Sequence, residues 1–283
     1  MSGATGFIGS HLTRAFENKG WKVIPLRRDD FSLEDEIWLR KFEHVDVVIN
    51  LAGTTIATRW TEEYKKQIVS SRIDTTKRIV LALKEIPQKP RLFISASAVG
   101  IYRAEGVHTE EDTNYATDFL GKLAFQWEQE ALKAKEAGIR MMIFRLGVVL
   151  GPDGGPLQKM LVPFRTGLGG VVGDGKQPFS WVHIEDLIRA YLTAIENEQY
   201  EGIYNLTAPN PTTNAGLSKA LGKALHRPTF MRIPGFAVKL KLGDAAILLT
   251  SGQHALPKRL TESGFVFQFP EIETAIIDLV KPS

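Results

Sequence analysis

The 283 residues carry 35 basic and 32 acidic side chains, a formal net charge of +3, and 43% of them are apolar. That is enough for a sizeable core and too balanced for a nucleic-acid or membrane-surface protein. With no cysteine, disulfides, thiol nucleophiles and thiolate metal sites are excluded. The lack of a signal peptide or a bilayer-length apolar run makes a cytoplasmic protein the expectation, with no metal and no nucleic-acid or membrane partner.

The chain opens on Gly3-Ala4-Thr5-Gly6-Phe7-Ile8-Gly9, glycines at every third position running into the apolar-periodic segment Leu12 to Phe16. Glycines at this spacing let a strand turn sharply into a helix, admit a pyrophosphate close to the backbone, and bring the helix tight against its sheet. The phosphates would lie at the helix N-terminus, where free N–H groups and the helix dipole favour negative charge. Only Met1 and Ser2 precede Gly3, fewer than the roughly five residues of an ordinary strand. A strand is expected over Trp21 to Leu26 and a buried one over Val45 to Leu51, which supply the strand-helix-strand context that a Gly-rich turn alone lacks.

Arg27 and Arg28 follow the second strand. In a dinucleotide fold this tip faces the adenosine ribose, where arginine accommodates a 2′-phosphate and an acidic residue selects a free 2′-hydroxyl. The pair favours NADP(H), while Asp29 and Asp30 keep NAD(H) as the lesser alternative. Phe31 to Phe42 reads as a short helix. Leu51, Ala52 and Gly53 would pass under the cofactor, their small side chains allowing close approach. A long helix is expected from Thr61, its N-cap, to Lys84, with the polar side around Ser71-Arg72-Ile73-Asp74-Thr75-Thr76 mostly solvated.

Arg91 to Ala96 is the next buried strand, and it places Ser95 and Ser97 at the carboxyl edge, where ligands bind in parallel sheets. A helix is expected from Asp118 to Ala137. A buried strand from Arg140 to Leu150 carries Arg145 and closes at Gly151-Pro152. The glycine-rich stretch 154–175, with a helix near Leu157 to Arg165, suits a lid or substrate wall, and Lys159 and Arg165 are candidates for an anionic substrate. Ser180 to Leu187 leads from a strand into a helix ending near Ile195, and Gly202 to Leu206 is one more strand. Beyond Pro211 the pattern becomes helical, over Leu217 to Leu225, Ala237 to Leu249 and Glu271 to Val280. The expected fold is α/β: a Rossmann-type doubly wound parallel sheet with a smaller, mainly helical C-terminal substrate domain. The Rossmann part takes residues 1–152 and 180–208, and the C-terminal part 153–179 and 209–283.

The ordered motifs GATGFIG (3–9), NLAG (50–53), SRIDTT (71–76), ISASAVG (94–100), RLGVVLGP (145–152) and FSWVHIEDL (179–187) resemble the extended short-chain dehydrogenase/reductases. Among these the chain is similar to an atypical nucleoside-diphosphate-sugar epimerase-like branch with a C-terminal domain of unknown function. The resemblance implies that Gly3, Thr5, Gly6, Phe7, Ile8 and Gly9 hold the pyrophosphate and that Arg27 and Arg28 meet the 2′-phosphate. By the same likeness Leu51, Ala52 and Gly53 line the adenosine side, Ser97 matches the catalytic Ser/Thr, and Arg145, Leu146, Gly147 and Val148 approach the nicotinamide. Ser95 joins the cofactor set by its place at the strand end.

The departure lies on the catalytic helix. The family uses a Tyr followed four residues later by Lys, a spacing that puts both on one helix face, where the ammonium lowers the phenol pKa and holds the ribose. Here the register gives Asp118 and Lys122. The lysine is retained as a ribose contact, but a carboxylate, ionised at neutral pH, does not donate a proton. Tyr102, Tyr115 and His183 are substitutes whose plainer readings are packing and helix ordering. The expectation is an NADP(H)-binding oxidoreductase or sugar-nucleotide epimerase-like protein, monomeric or homodimeric, with a small-molecule substrate. The alternative is an NADP(H)-binding sensor or interaction protein without catalysis.

Overall fold

The computed structural model describes residues 1–281. Four parallel strands form the central sheet in the order β1 (Val47–Asn50), β2 (Leu92–Ala98), β3 (Arg140–Leu146) and β6 (Gly202–Leu206). A further parallel pair, β4 (Val148–Leu150) with β5 (Trp181–His183), leaves the carboxyl end of β3. Gly147 makes the break that turns the expected single strand 140–150 into two.

Beyond β1 the sheet continues through single bridges. Ser2 pairs on one side with Asn50 and on the other with Leu26. The chain therefore runs outward from Ser2 to Leu26 and returns to Ser2's other flank, so strand order reverses at the start of the Gly-rich loop. Such a reversal opens a crevice at the carboxyl ends of the strands, where α/β sheets bind ligands. The strand expected over Trp21 to Leu26 does not form. Residues 21–25 form no ladder, and the segment meets its neighbour through the Ser2–Leu26 bridge and the Met1 amino group, which donates to the Ile24 carbonyl at 2.6 Å. A cavity of about 460 Å³ lies beside them, lined by Trp21, Val23, Ile24, Val45 and Val47.

The alternation of side chains along each strand explains why the sheet is covered on both faces. Leu92 and Ile94 on β2 with Met142 and Phe144 on β3 point into a core shared with Leu12 and Phe16 of α1 (Phe7–Asn18) and Leu187 and Tyr191 of α6 (Ile184–Glu196). Phe93, Met141 and Ile143 point the other way. They meet Ile79 and Leu83 of α3 (Glu62–Glu85) and Ala131 of α4 (Phe119–Leu132). Thr61 caps α3 as expected, its Oγ1 accepting the Tyr64 N–H at 3.1 Å.

Three expected helices are broken. Phe31 to Phe42 divides into a 3-10 turn, Arg28–Ser32, and the short helix α2 (Asp35–Arg40). The segment after Leu132 tightens into a 3-10 turn, Lys133–Ala137. Ala237 to Leu249 divides at Gly243, whose φ of +60° is foreign to a helix, so that α8 (Gly235–Leu242) is followed by a 3-10 turn and Ile247–Thr250. The helical C-terminal region packs α7 (Asn214–Leu225) and α9 (Ile272–Val280) against α5 (Gly155–Arg165). Leu217, Leu221, Ile272 and Ile276 share a core there with Leu157, Leu161 and Trp181.

Candidate dinucleotide and substrate cleft

Gly3 turns the chain at φ +66°, and a Cβ on Gly9 would lie 2.0 Å from the Gly3 carbonyl oxygen, so the loop closes on itself as only glycine allows. Helix α1 then starts at Phe7 with no side-chain cap and no acid in its first turn. Its first N–H groups have no intrahelical acceptor and remain available to an anion. Phe7, at this helix start, packs its ring against the second glycine-rich turn. A Cβ on Gly151, Gly154 or Gly155 would fall 2.6 Å from that ring. The contact between His11 Nε2 and Asp153 Oδ1, at 2.7 Å, holds the two turns together.

The neighbouring turn, Leu51 to Gly53, is held from beneath by a buried polar chain. Ser2 Oγ donates to Asn50 Oδ1 at 2.6 Å and accepts the N–H groups of Leu51 and Ala52. Asn50 Nδ2 and Trp127 Nε1 both donate to Thr76 Oγ1, at 2.8 and 2.9 Å. Part of the polar side of α3 that was expected to be solvated is thus interior. Thr76 is fully buried, and Arg72 lies along Gly53.

These elements border one cleft of about 480 Å³, running from Gly3, Gly6, Phe7, Ile8 and Gly9 past Leu51, Ala52, Gly53 and Ser97 to Leu146, Gly147 and Val148. Ile247, Leu248 and Gln253 of the C-terminal region form its far wall. Ser97 stands on the lining, 2% exposed, with its hydroxyl donating to Glu128 Oε1 at 2.6 Å.

Several residues named from the sequence lie elsewhere. Thr5 is exposed beside the loop and outside the lining. Ser95 is fully buried below the cleft floor, its hydroxyl turned onto the Ala96 carbonyl. Arg145, expected to approach the nicotinamide, is not on the cleft lining. It is fully buried, paired with Glu128 through Nε at 2.8 Å and Nη2 at 2.7 Å, and it donates to the hydroxyls of Tyr102 and Tyr115 at 2.7 and 3.0 Å. A buried guanidinium requires such a counter-charge, and this network fixes the arginine inside the fold. Tyr102 also donates to Asn205 Oδ1 at 2.8 Å, and burial pushes its phenol up to about 12. Tyr102, Tyr115 and His183 all lie outside the cleft lining. Lys159 and Arg165 are likewise absent from it.

Helix α4 corrects the register drawn from the sequence. Asp118 sits at the rim as the N-cap, its Oδ1 accepting the Gly121 N–H at 2.8 Å. Lys122 is exposed and away from the lining. The cleft-facing residues of this helix are Leu120, Leu123, Ala124 and Trp127, and a residue two positions after Leu120 is rotated by about 200° to the opposite side. At the four-residue spacing that a Tyr and a Lys would need, the cleft therefore meets Leu120 and Ala124. Glu128 was missed by the sequence reading. The burial rhythm of α4, Leu123-Ala124-Trp127-Glu128-Ala131, was the signal that could have found it.

Arg27 and Arg28 are exposed at the end of the extended segment that bridges to Ser2, outside the cleft itself. Asp30 is occupied locally. Its carboxylate accepts the Arg27 N–H at 2.7 Å and pairs with Lys41 at 2.9 Å.

A family model described as the NAD dependent epimerase/dehydratase family matches residues 1–207. The chain belongs to that family. A second model, a domain of unknown function termed DUF1731, matches residues 233–279. The epimerase family protein YfhF of Bacillus subtilis is 37% identical over 294 residues, covering 99% of this chain and 97% of the relative. The crystal structure of the human epimerase family protein SDR39U1 (isoform 2) with NADPH superposes with a TM-score of 0.89 at 33% identity, covering 98% of this chain and 97% of the other. UDP-glucuronic acid 4-epimerase from Bacillus cereus, solved with UDP-glucuronic acid and NAD, shares the fold with a TM-score of 0.79 at 20% identity and coverage of 97% and 95%. The chain thus combines a nicotinamide-dinucleotide-binding Rossmann fold with a helical C-terminal region, and no described helix is long and apolar enough to cross a membrane.

Proposed function

We propose that the protein binds NADP(H) in this cleft, with the diphosphate on the uncapped start of α1, and acts as an oxidoreductase or sugar-nucleotide epimerase-like enzyme on a small molecule held beside the nicotinamide. The observation that carries the proposal is the continuity of the cleft from the Gly3–Gly9 amides to Ser97 and on to the C-terminal wall. NADP(H) is favoured over NAD(H) because Arg27 and Arg28 are free of ion pairs among the described residues, while Asp30 is spent on Lys41 and the Arg27 amide. A 2′-phosphate offers the guanidinium pair a bidentate partner.

Hydride transfer to a carbonyl carbon needs a proton for the oxygen. With Leu120 and Ala124 facing the cleft, no phenol–lysine pair stands on its lining among the described residues. Ser97 is the hydroxyl nearest this role in the family pattern, and Glu128 orients it. The experiment is turnover of a panel of carbonyl compounds with NADPH deuterated at nicotinamide C4, and of UDP-sugars with NADP+, the product sugars being resolved by chromatography. Deuterium found in a carbonyl product, or a UDP-sugar converted to its epimer, with the rate lost in Ser97→Ala, supports the enzyme. The leucine and alanine on α4 favour a second reading, a protein that binds NADP(H) and reports its level without turnover. Tight NADPH binding with no label transferred to any carbonyl compound and no UDP-sugar converted would select it.

A further inference from the structure

Among the described residues, two charged side chains line the cleft, Arg72 and Asp118. Asp118 is committed to capping α4. Arg72 has no carboxylate partner among the described residues. Its Nη1 donates to the Ile68 carbonyl at 3.2 Å and its Nη2 to the Thr54 carbonyl at 3.1 Å. The guanidinium lies 5.4 Å from the Trp127 ring centroid, and its central carbon is 2.8 Å from where a Cβ on Gly53 would be.

Two neutral carbonyls and an indole face hold the group in place without cancelling its charge. Burial pulls its pKa down to about 10, which leaves it cationic at neutral pH. With no side chain at Gly53, the guanidinium can lie directly against that turn of the backbone. A partly buried cation with no carboxylate partner, whose remaining donors border the cleft, is stabilised most by an anion that fills them.

We propose that Arg72 is an oxyanion-binding residue of the cleft, taking a carboxylate or phosphate group of a bound molecule. The proposal rests on the cleft being a ligand site and identifies the ligand chemistry it selects. The oxyanion has two possible sources, the dinucleotide's diphosphate and an acidic group on the substrate. The amides of the Gly3–Gly9 loop already serve a diphosphate, so the two sources are separable by experiment.

Calorimetry on the full chain with NADPH, and with inorganic phosphate before and after saturation by NADPH, would compare wild type with Arg72→Gln and Arg72→Lys. The expected result is phosphate binding to the NADPH-saturated wild type, weakened at least tenfold in Arg72→Gln, with NADPH affinity changed less than threefold. That result assigns the oxyanion to the substrate. A tenfold loss of NADPH affinity without phosphate binding to the saturated protein assigns it to the dinucleotide and equally supports Arg72. Should Arg72→Gln fail to fold, Arg72→Lys carries the test. It keeps the charge but loses the planar fork and is expected to weaken the responding ligand at least threefold. Folded variants that bind both NADPH and phosphate as wild type does, or a wild type in which phosphate never binds and NADPH affinity ignores position 72, overturn the proposal. If the wild type binds no NADPH, the dinucleotide reading fails, and phosphate titration of the unliganded chain still decides the role of Arg72.

Discussion

Glu128→Gln tests the buried network behind Ser97. Glu128 is 3% exposed and Arg145 is fully buried. The carboxylate accepts from Ser97 Oγ at 2.6 Å, from Arg145 Nε at 2.8 Å and from Arg145 Nη2 at 2.7 Å. Glutamine keeps the volume but turns one acceptor into a donor that faces another donor, and it leaves the guanidinium without a counter-charge. Breaking a buried pair from one side costs about 3–5 kcal/mol, a large share of the roughly 5–15 kcal/mol that holds a domain folded. At a urea dependence of about 3 kcal/mol per molar, the unfolding midpoint should fall by roughly 1 M or more. Urea unfolding followed by circular dichroism measures this directly. The double variant Glu128→Leu with Arg145→Met removes both charges and should recover most of the loss, since apolar replacements of buried pairs are often neutral. A Glu128→Gln midpoint within about 0.3 M of wild type, or a double variant weaker than the single, would refute the reasoning.

Replacing Arg27 and Arg28 together by alanine should weaken NADPH binding at least tenfold and NADH binding less than threefold, by fluorescence titration of each; equal losses would show that the pair does not read the 2′-phosphate. Lys122→Ala, exposed and outside the lining, should leave the NADPH dissociation constant within twofold, and a larger loss would return that lysine to the site. Gly9→Ala sets a methyl 2.0 Å from the Gly3 carbonyl and should destabilise the fold by about 1–3 kcal/mol while weakening NADPH; a variant that binds as wild type does contradicts the loop geometry. His183 accepts the Glu185 N–H on Nδ1 at 3.1 Å and stacks on Phe269, and burial lowers its pKa. The unfolded chain therefore takes up the proton first as pH falls below about 6.5, and stability should decline from there down to the folded pKa. His183→Asn, which can still cap α6, should flatten that decline in melting temperature against pH.

The sheet and the Gly-rich loop were legible because their signals are local. Phe93 between Leu92 and Ile94 reads as a strand covered on both faces, and the spacing of Gly3, Gly6 and Gly9 marks the positions where a tight strand-to-helix turn tolerates no side chain. The strand expected over Trp21 to Leu26 reduces to a single bridge at Leu26, because a ladder is a pairing with a distant segment that the local apolar pattern does not reveal. Arg145 stood out in the sequence, but its role needed Glu128, which sits 17 positions away and reaches it only through the packing of α4 on the sheet. The Asp118–Lys122 spacing looked like a catalytic helix face. Which face meets the cleft is set by how Leu120, Leu123, Ala124 and Trp127 dock, and helical period alone permitted either register. Arg72 was read as part of a solvated stripe because nothing local announces that α3 passes beneath the Leu51–Gly53 turn.

Isothermal titration of the purified full-length chain with NADPH bears most directly on the cleft as a dinucleotide site. One NADPH bound per chain, with a raised melting temperature and a tenfold weaker response to NADH, is the predicted result. Absence of heat and of any melting shift at NADPH concentrations up to about 1 mM, where binding would still be worth about 4 kcal/mol, would contradict it.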